Sequence, residues 1–175
     1  MSHFEIQKVI KRYAKAYSDL QHWQDNHPAI PGGDQKTGSI GEYYAYLYLL
    51  YSYPDAELIY GSHSEKGWDI ELNDGITKTR IQVKTVSQFS KTRTISPVHK
   101  GWDALFLMYL NRELYPIGFW VIEDCEIFGE QEKLTSKKCP IPEKINTGSK
   151  NIPFGDNLIG ALRQAIASFN QDGKV

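Results

Sequence analysis

Apolar residues first recur at helical spacing: Phe4, Ile6, Val9, Ile10, Tyr13, Tyr17 and Leu20, with lysines and glutamines between them. This period predicts an amphipathic helix over about residues 3–23. The stretch "DNHPAIPGGDQKTG" reads as a loop from its prolines and glycines. A second helix follows in "SIGEYYAYLYLLYSY", with Thr37 or Ser39 as N-cap and Pro54 just past its end. It is apolar nearly all round, as a buried helix is.

From Ala56 the period becomes two. "AELIYG", "GWDIELN" and "TKTRIQVKT" read as three strands, the last two joined at an Asn-Asp-Gly turn. "QFSKTRTISPVHKG" is polar and loop-like. "DALFLMYLN" is almost wholly apolar, which predicts a strand covered on both faces, and "YPIGFWVIED" is the strand after it. Residues 129–156 read as mostly irregular. Asp156 or Asn157 caps a last helix, to about residue 170, with its stripe at Leu158, Ile159, Leu162, Ile166 and Phe169. The order α-α-β-β-β-β-β-α predicts one α/β domain, a mixed sheet with helices packed on it.

The hairpin raises the chemical question. Side chains alternate along strands, so Trp68, Ile70, Leu72, Ile81 and Val83 take one face. Asp69, Gln82 and Lys84 take the other. A two-residue Asp74-Gly75 turn would pair Asn73 with Ile76 and set Asp69 opposite Arg80, with Gln82 as its diagonal neighbour. Such a face also suits plain solvation. Glu42 weighs against that, as the sole charge between Thr37 and Pro54 on a helix read as buried, where a carboxylate needs a partner. Its structural alternative is an ion pair with a lysine or arginine of the core.

Length and composition, 175 residues with 41% hydrophobic and 23% charged, are those of a globular chain long enough for a sizeable core. Cys125 and Cys139 form neither a disulfide framework nor a zinc motif. A charged N-terminus unlike a secretory signal completes the expectation of a cytoplasmic protein. The most apolar run, Tyr43–Tyr53, is too short to span a bilayer. No HExxH, GxGxxG or Walker loop occurs.

Two carboxylates, a carboxamide and a lysine brought together suit phosphodiester hydrolysis. Oxygens of Asp69, Gln82 and Glu42 would hold Mg²⁺ or Mn²⁺, and Lys84 would act on water or phosphate. Glu42 in "GSIGE", Asp69 in "GWDI", and Gln82 with Lys84 in "QVK" resemble the PD-(D/E)XK nuclease superfamily. The likeness is to its restriction-endonuclease-like, Mrr-like branch, where QxK replaces ExK. It covers residues 37–124 and includes "WDALFLMYLN" and "PIGFWVIED" as later core strands. It implies an αβββαβ core, metal-dependent DNA cleavage, often a homodimer, and service in a restriction, defence or repair assembly. Two positions depart from the pattern: Trp68 stands where a proline often precedes the aspartate, and Gln82 leaves the metal site one anion fewer.

From Gly75 to Trp102 no acidic residue occurs, while Lys78, Arg80, Lys84, Lys91, Arg93 and Lys100 all fall there. In a chain of net charge −1, this segregation marks Lys78, Arg80, Lys91, Arg93 and Lys100 as candidate DNA contacts. A solvated basic loop is the plain alternative. Two other functions stay open on the same fold: an inactive nucleic-acid-binding module, and a protein-interaction domain in which Glu42 and Lys84 form a buried ion pair. The last predicts heavy destabilisation on mutating either residue. The nuclease reading predicts that Asp69→Ala and Lys84→Ala leave stability intact or improve it.

Overall fold

The computed structural model describes residues 2–26, 36–62, 67–123, 133–134, 137–139, 141 and 157–171. Residues 27–35 of the loop read from "DNHPAIPGGDQKTG", most of the irregular stretch 129–156, Asp156 and Cys125 lie outside them, and the two ends of that loop, residues 25–26 and 36–38, are helical instead.

Helix α1 spans His3–Asn26 and α2 spans Lys36–Ser52. The α1 stripe is narrower than the periodicity suggested. Ile10 and Ala14 are buried, while Val9 and Leu20 are 52% and 46% exposed, so the inward face runs through Ile6, Ile10, Tyr13 and Ala14. Helix α2 starts at Lys36, which places both Thr37 and Ser39 inside it and excludes them as caps. It is buried on the side of Ile40, Tyr44, Ala45, Leu47 and Leu49, whereas Glu42, Tyr43, Tyr46, Tyr48 and Leu50 are only partly covered, so its apolar circumference overstated its burial.

The strands are β1 (Glu57–Tyr60), β2 (Ile70–Asn73), β3 (Lys78–Ser87), β4 (Val98–His99), β5 (Ala104–Leu110), β6 (Pro116–Ile122) and β7 (Lys133–Leu134). Five form one mixed sheet in the order β1-β2-β3-β5-β6. Only β3 and β5 run parallel within it. The short β4 pairs with β7 in a second sheet. All seven residues of β5 are buried, as its unbroken apolar run required.

Helices α2 and α3 (Ile159–Gln171) cover one face of the large sheet, where Ile70, Ile81, Val83, Phe106 and Phe119 meet Leu47, Leu162 and Ile166. On the other face Leu105, Leu107 and Trp120 are covered by Ile95, Val98, Trp102 and Cys139. This second cover is loop and short strand. The crossover from β3 to β5, residues 88–103, holds β4 and no helix, where the αβββαβ pattern sets one. Helix α3 is capped by Asn157, whose Oδ1 accepts from the Ile159 and Phe119 amides at 3.2 and 3.1 Å and so ties the helix to β6.

The hairpin register differs by two residues from the one expected. Asn73 pairs with Lys78, and Arg80 faces Glu71 rather than Asp69. The Asp74 side chain builds a wider turn: Oδ1 accepts from the Ile76 and Thr77 amides at 2.8 and 2.7 Å, and Oδ2 from the Thr77 hydroxyl at 3.0 Å. Gly75 takes the positive φ of 86° and Ile76 is left outside at 93% exposure. A shift of two preserves every side chain's face. Gln82 and Lys84 thus still share a face, while Asp69 lies on a bend just outside the ladder, one residue before the Ile70–Ile81 pair.

Candidate active site

Asp69 lies on a bend just before β2, where that strand parts from β3. Its amide donates to the Ile81 carbonyl at 2.8 Å. The Val83 amide of β3 donates not to a main-chain carbonyl but to the Asp69 carboxylate, at 2.7 Å to Oδ2. The carboxylate therefore completes the ladder at the point of divergence. Its other oxygen accepts no hydrogen bond among the described residues.

Gln82 is buried, 2% exposed, and its Nε2 donates to the Gly67 carbonyl at 3.1 Å. That bond orients the carboxamide and ties the segment leading into Asp69 to β3. Gly67 is needed there for space: a Cβ would come within 2.9 Å of the Lys100 carbonyl oxygen. Gln82→Glu, which brings the side chain nearer to the common nuclease motif, is accordingly expected to lower stability. It replaces the donor by a carboxylate facing a carbonyl in a buried place, at a cost of about 1–3 kcal/mol. Thermal melting in EDTA checks this, and an unchanged melting temperature would count against the tie.

Lys84 is half buried. Burial lowers its pKa, opposed first by the charge of Asp69 and then by that of Glu42. Burial likewise raises the Asp69 pKa, opposed by the Val83 amide and by Lys84. Two carboxylates and one ammonium thus share one electrostatic environment. Among the described residues Lys84 makes no close ion pair, so the Glu42–Lys84 pair of the structural reading is not formed. Glu42 is partly exposed and is positioned by its neighbour. Gly41 rests directly on Thr85 of β3, so close that a Cβ would collide with Thr85 Oγ1. The sequence reading passed over this glycine; "GSIGE" carried the signal, a glycine inside an apolar helix.

The basic segment is less uniform than its sequence suggested. Lys78 and Arg80 both reach Glu71, at 2.8 and 3.7 Å. Lys78 is the main influence lowering the pKa of that carboxylate. Arg80 also lies 5.8 Å from the Trp68 ring, and Arg93 donates to the Cys139 carbonyl at 2.6 Å. Lys91 and Lys100 are exposed.

No group of three His, Cys, Asp or Glu side chains suited to a metal occurs among the described residues. The donors present are oxygens only, two carboxylates and an oriented carboxamide, a set that suits a hard divalent cation such as Mg²⁺ and not a soft one. No helix among the described residues is long and apolar enough to cross a membrane.

No protein-family model matches the chain, and neither does any curated protein. Among solved structures, that of a bacterial homing endonuclease, I-Ssp6803I, aligns at a TM-score of 0.44 and 17% identity, over 80% of this chain and 99% of its own. At that level of likeness nothing about the site follows from it. The mixed sheet flanked by helices is a property of this chain's own structure.

Proposed function

We propose that the protein is a metal-dependent DNA endonuclease whose centre is Asp69, Gln82, Lys84 and Glu42. The observation that carries this reading is the placement of Lys84. It is half buried in the field of two carboxylates, without a close ion pair among the described residues. An ammonium so placed is costly as structure and useful as chemistry. The resemblance of the "GSIGE", "GWDI" and "QVK" motifs to PD-(D/E)XK nucleases points the same way, and the exposed cations Lys91 and Lys100 suit a polyanionic substrate.

Asp69, Glu42 and the Gln82 carboxamide would hold Mg²⁺ or Mn²⁺, which when bound polarises a phosphoryl oxygen and acidifies a water. The Val83 amide fixes one Asp69 oxygen and leaves the other without a hydrogen bond among the described residues. Lys84 presents Nζ–H to a non-bridging phosphate oxygen, or orients the water whose oxygen bonds to phosphorus as the bond to the leaving sugar oxygen breaks. Its lowered pKa makes proton exchange with that water easier than for a solvated lysine.

Cleavage of supercoiled plasmid with Mg²⁺, Mn²⁺ or EDTA tests the proposal, wild type beside Lys84→Ala. Metal-dependent nicking that falls at least about 100-fold in the variant is expected. Nicking that persists in EDTA, or in Lys84→Ala at full rate, would sink it.

A further inference from the structure

Beyond Lys84, β3 runs into a cleft of about 450 Å³ bounded by α1, the start of α2 and the loop after β3. Thr85 and Ser87 line it from the strand, Thr37 from α2 and Gln21 from α1. The loop closes it with Ser90, Lys91, Thr92 and Thr94. Among the residues that line it none is acidic, and most carry a hydroxyl or an amide.

The hydroxyls are set as donors. Ser87 Oγ accepts from the Phe89 amide at 3.3 Å, Ser90 Oγ from Arg93 at 3.0 Å and Thr92 Oγ1 from Thr94 at 3.4 Å. An oxygen engaged in accepting retains its O–H for donation. The buried Thr85 hydroxyl has no hydrogen-bond partner among the described residues. Hydroxyl donors around one lysine complement an anion whose oxygens only accept, and such side chains are those that contact nucleic-acid phosphates.

Thr85 follows Lys84 in β3, so the two side chains leave the strand on opposite faces, Thr85 on the side of Gly41 and α2. The cleft is thus a surface of its own, joined to the centre through β3 and α2.

We infer that the cleft between α1, α2 and the loop 87–94 holds the sugar-phosphate backbone of the bound nucleic acid, away from the bond that is cut. The inference rests on the nuclease reading for what happens at Lys84, and not for binding. The cleft positions substrate through Lys91 and the surrounding hydroxyls, independently of base sequence.

The test is the affinity for a short labelled DNA duplex, measured by fluorescence anisotropy in EDTA over a series of salt concentrations. Wild type, Lys91→Ala, Lys91→Glu and Lys91→Arg are compared, with plasmid nicking in Mg²⁺ as a second readout. Lys91→Ala is expected to weaken binding on the order of 5-fold at physiological salt and to reduce the salt slope by about one. Lys91→Glu weakens it further, Lys91→Arg restores it, and the loss in nicking lies in KM. Binding by Lys91→Ala and Lys91→Glu equal to wild type at every salt overturns the cleft assignment, while nicking by wild type would leave the nuclease reading standing. Binding that depends on Lys91 in a wild type that never nicks supports the cleft and removes the hydrolytic reading. A wild type that does not bind the duplex at any salt overturns the cleft assignment, and one that also does not nick removes both.

Discussion

Asp69→Asn is expected to abolish metal-dependent nicking while melting at or above the temperature of the wild type in EDTA. Asparagine keeps the shape and retains an oxygen to accept from the Val83 amide, which lies in the core at 6% exposure. It removes only the charge. Since burial raises the folded pKa of Asp69 above its unfolded value, the contribution of this group to stability is present below the unfolded pKa. It is lost as pH rises through the folded pKa. The difference between variant and wild type should therefore move in favour of the variant over that window and level off at neutral pH. Activity should fall by roughly 100-fold or more, as when a group acting directly on the reacting centre is removed. Asp69→Ala is different: it leaves the Val83 amide without an acceptor, at about 1–3 kcal/mol. A single main-chain contact thus stands against the expectation from the residues alone that alanine is harmless at position 69. Thermal melts across pH paired with plasmid nicking decide the matter, and a clearly lower melting temperature for Asp69→Asn would make the carboxylate structural.

Gly41→Ala carries the second large effect, and its sign is the informative part. In an exposed helix, glycine to alanine stabilises by up to about 1 kcal/mol. At position 41 the new methyl would collide with Thr85 Oγ1 and stand 2.7 Å from both its Cβ and Cγ2. Rotation of Thr85 cannot remove its Cβ, so α2 must lift from β3. Overpacking of this kind costs about 1–3 kcal/mol, a fall of about 2–4 °C per kcal/mol for a domain of this size. Because Glu42 is the next residue and Thr85 adjoins Lys84, nicking should drop with stability. Gly38→Ala on the same helix meets nothing within 4 Å and serves as the control, with stability held or slightly raised. Thr85→Ala combined with Gly41→Ala should recover part of the loss, a coupling measurable by a double-mutant cycle. Equal melting temperatures for Gly38→Ala and Gly41→Ala would contradict the close packing.

Much of the fold could be read from periodicity. The change from period 3.6 to period two after α2, the wholly apolar β5 and the stripe of α3 all lie close to where the residues put them. Alternation also set Gln82 and Lys84 on one face, and that survived a register error because the error was even; Asp69, read as part of the strand, lies on a bend before it. The turn was misjudged because Asp74 folds back on Ile76 and Thr77, a side-chain choice that an Asn-Asp-Gly signal does not distinguish from a tighter hairpin. The exposed Val9 and Leu20 were misjudged because periodicity marks apolar residues whether or not a partner arrives to cover them.

What the sequence determined by itself is local: which residues favour helix or strand, and which way each side chain faces, because these follow from backbone geometry over a few residues. Only the tertiary structure decided which groups meet. The Val83 amide on the Asp69 carboxylate, Gln82 on the Gly67 carbonyl, Gly41 against Thr85 and Glu71 between Lys78 and Arg80 join residues brought together by chain folding. Charge counted along the chain made Lys78 and Arg80 candidate DNA contacts, whereas in the fold both face one buried carboxylate. Electrostatic energy depends on distance and burial, quantities that a linear sequence does not contain.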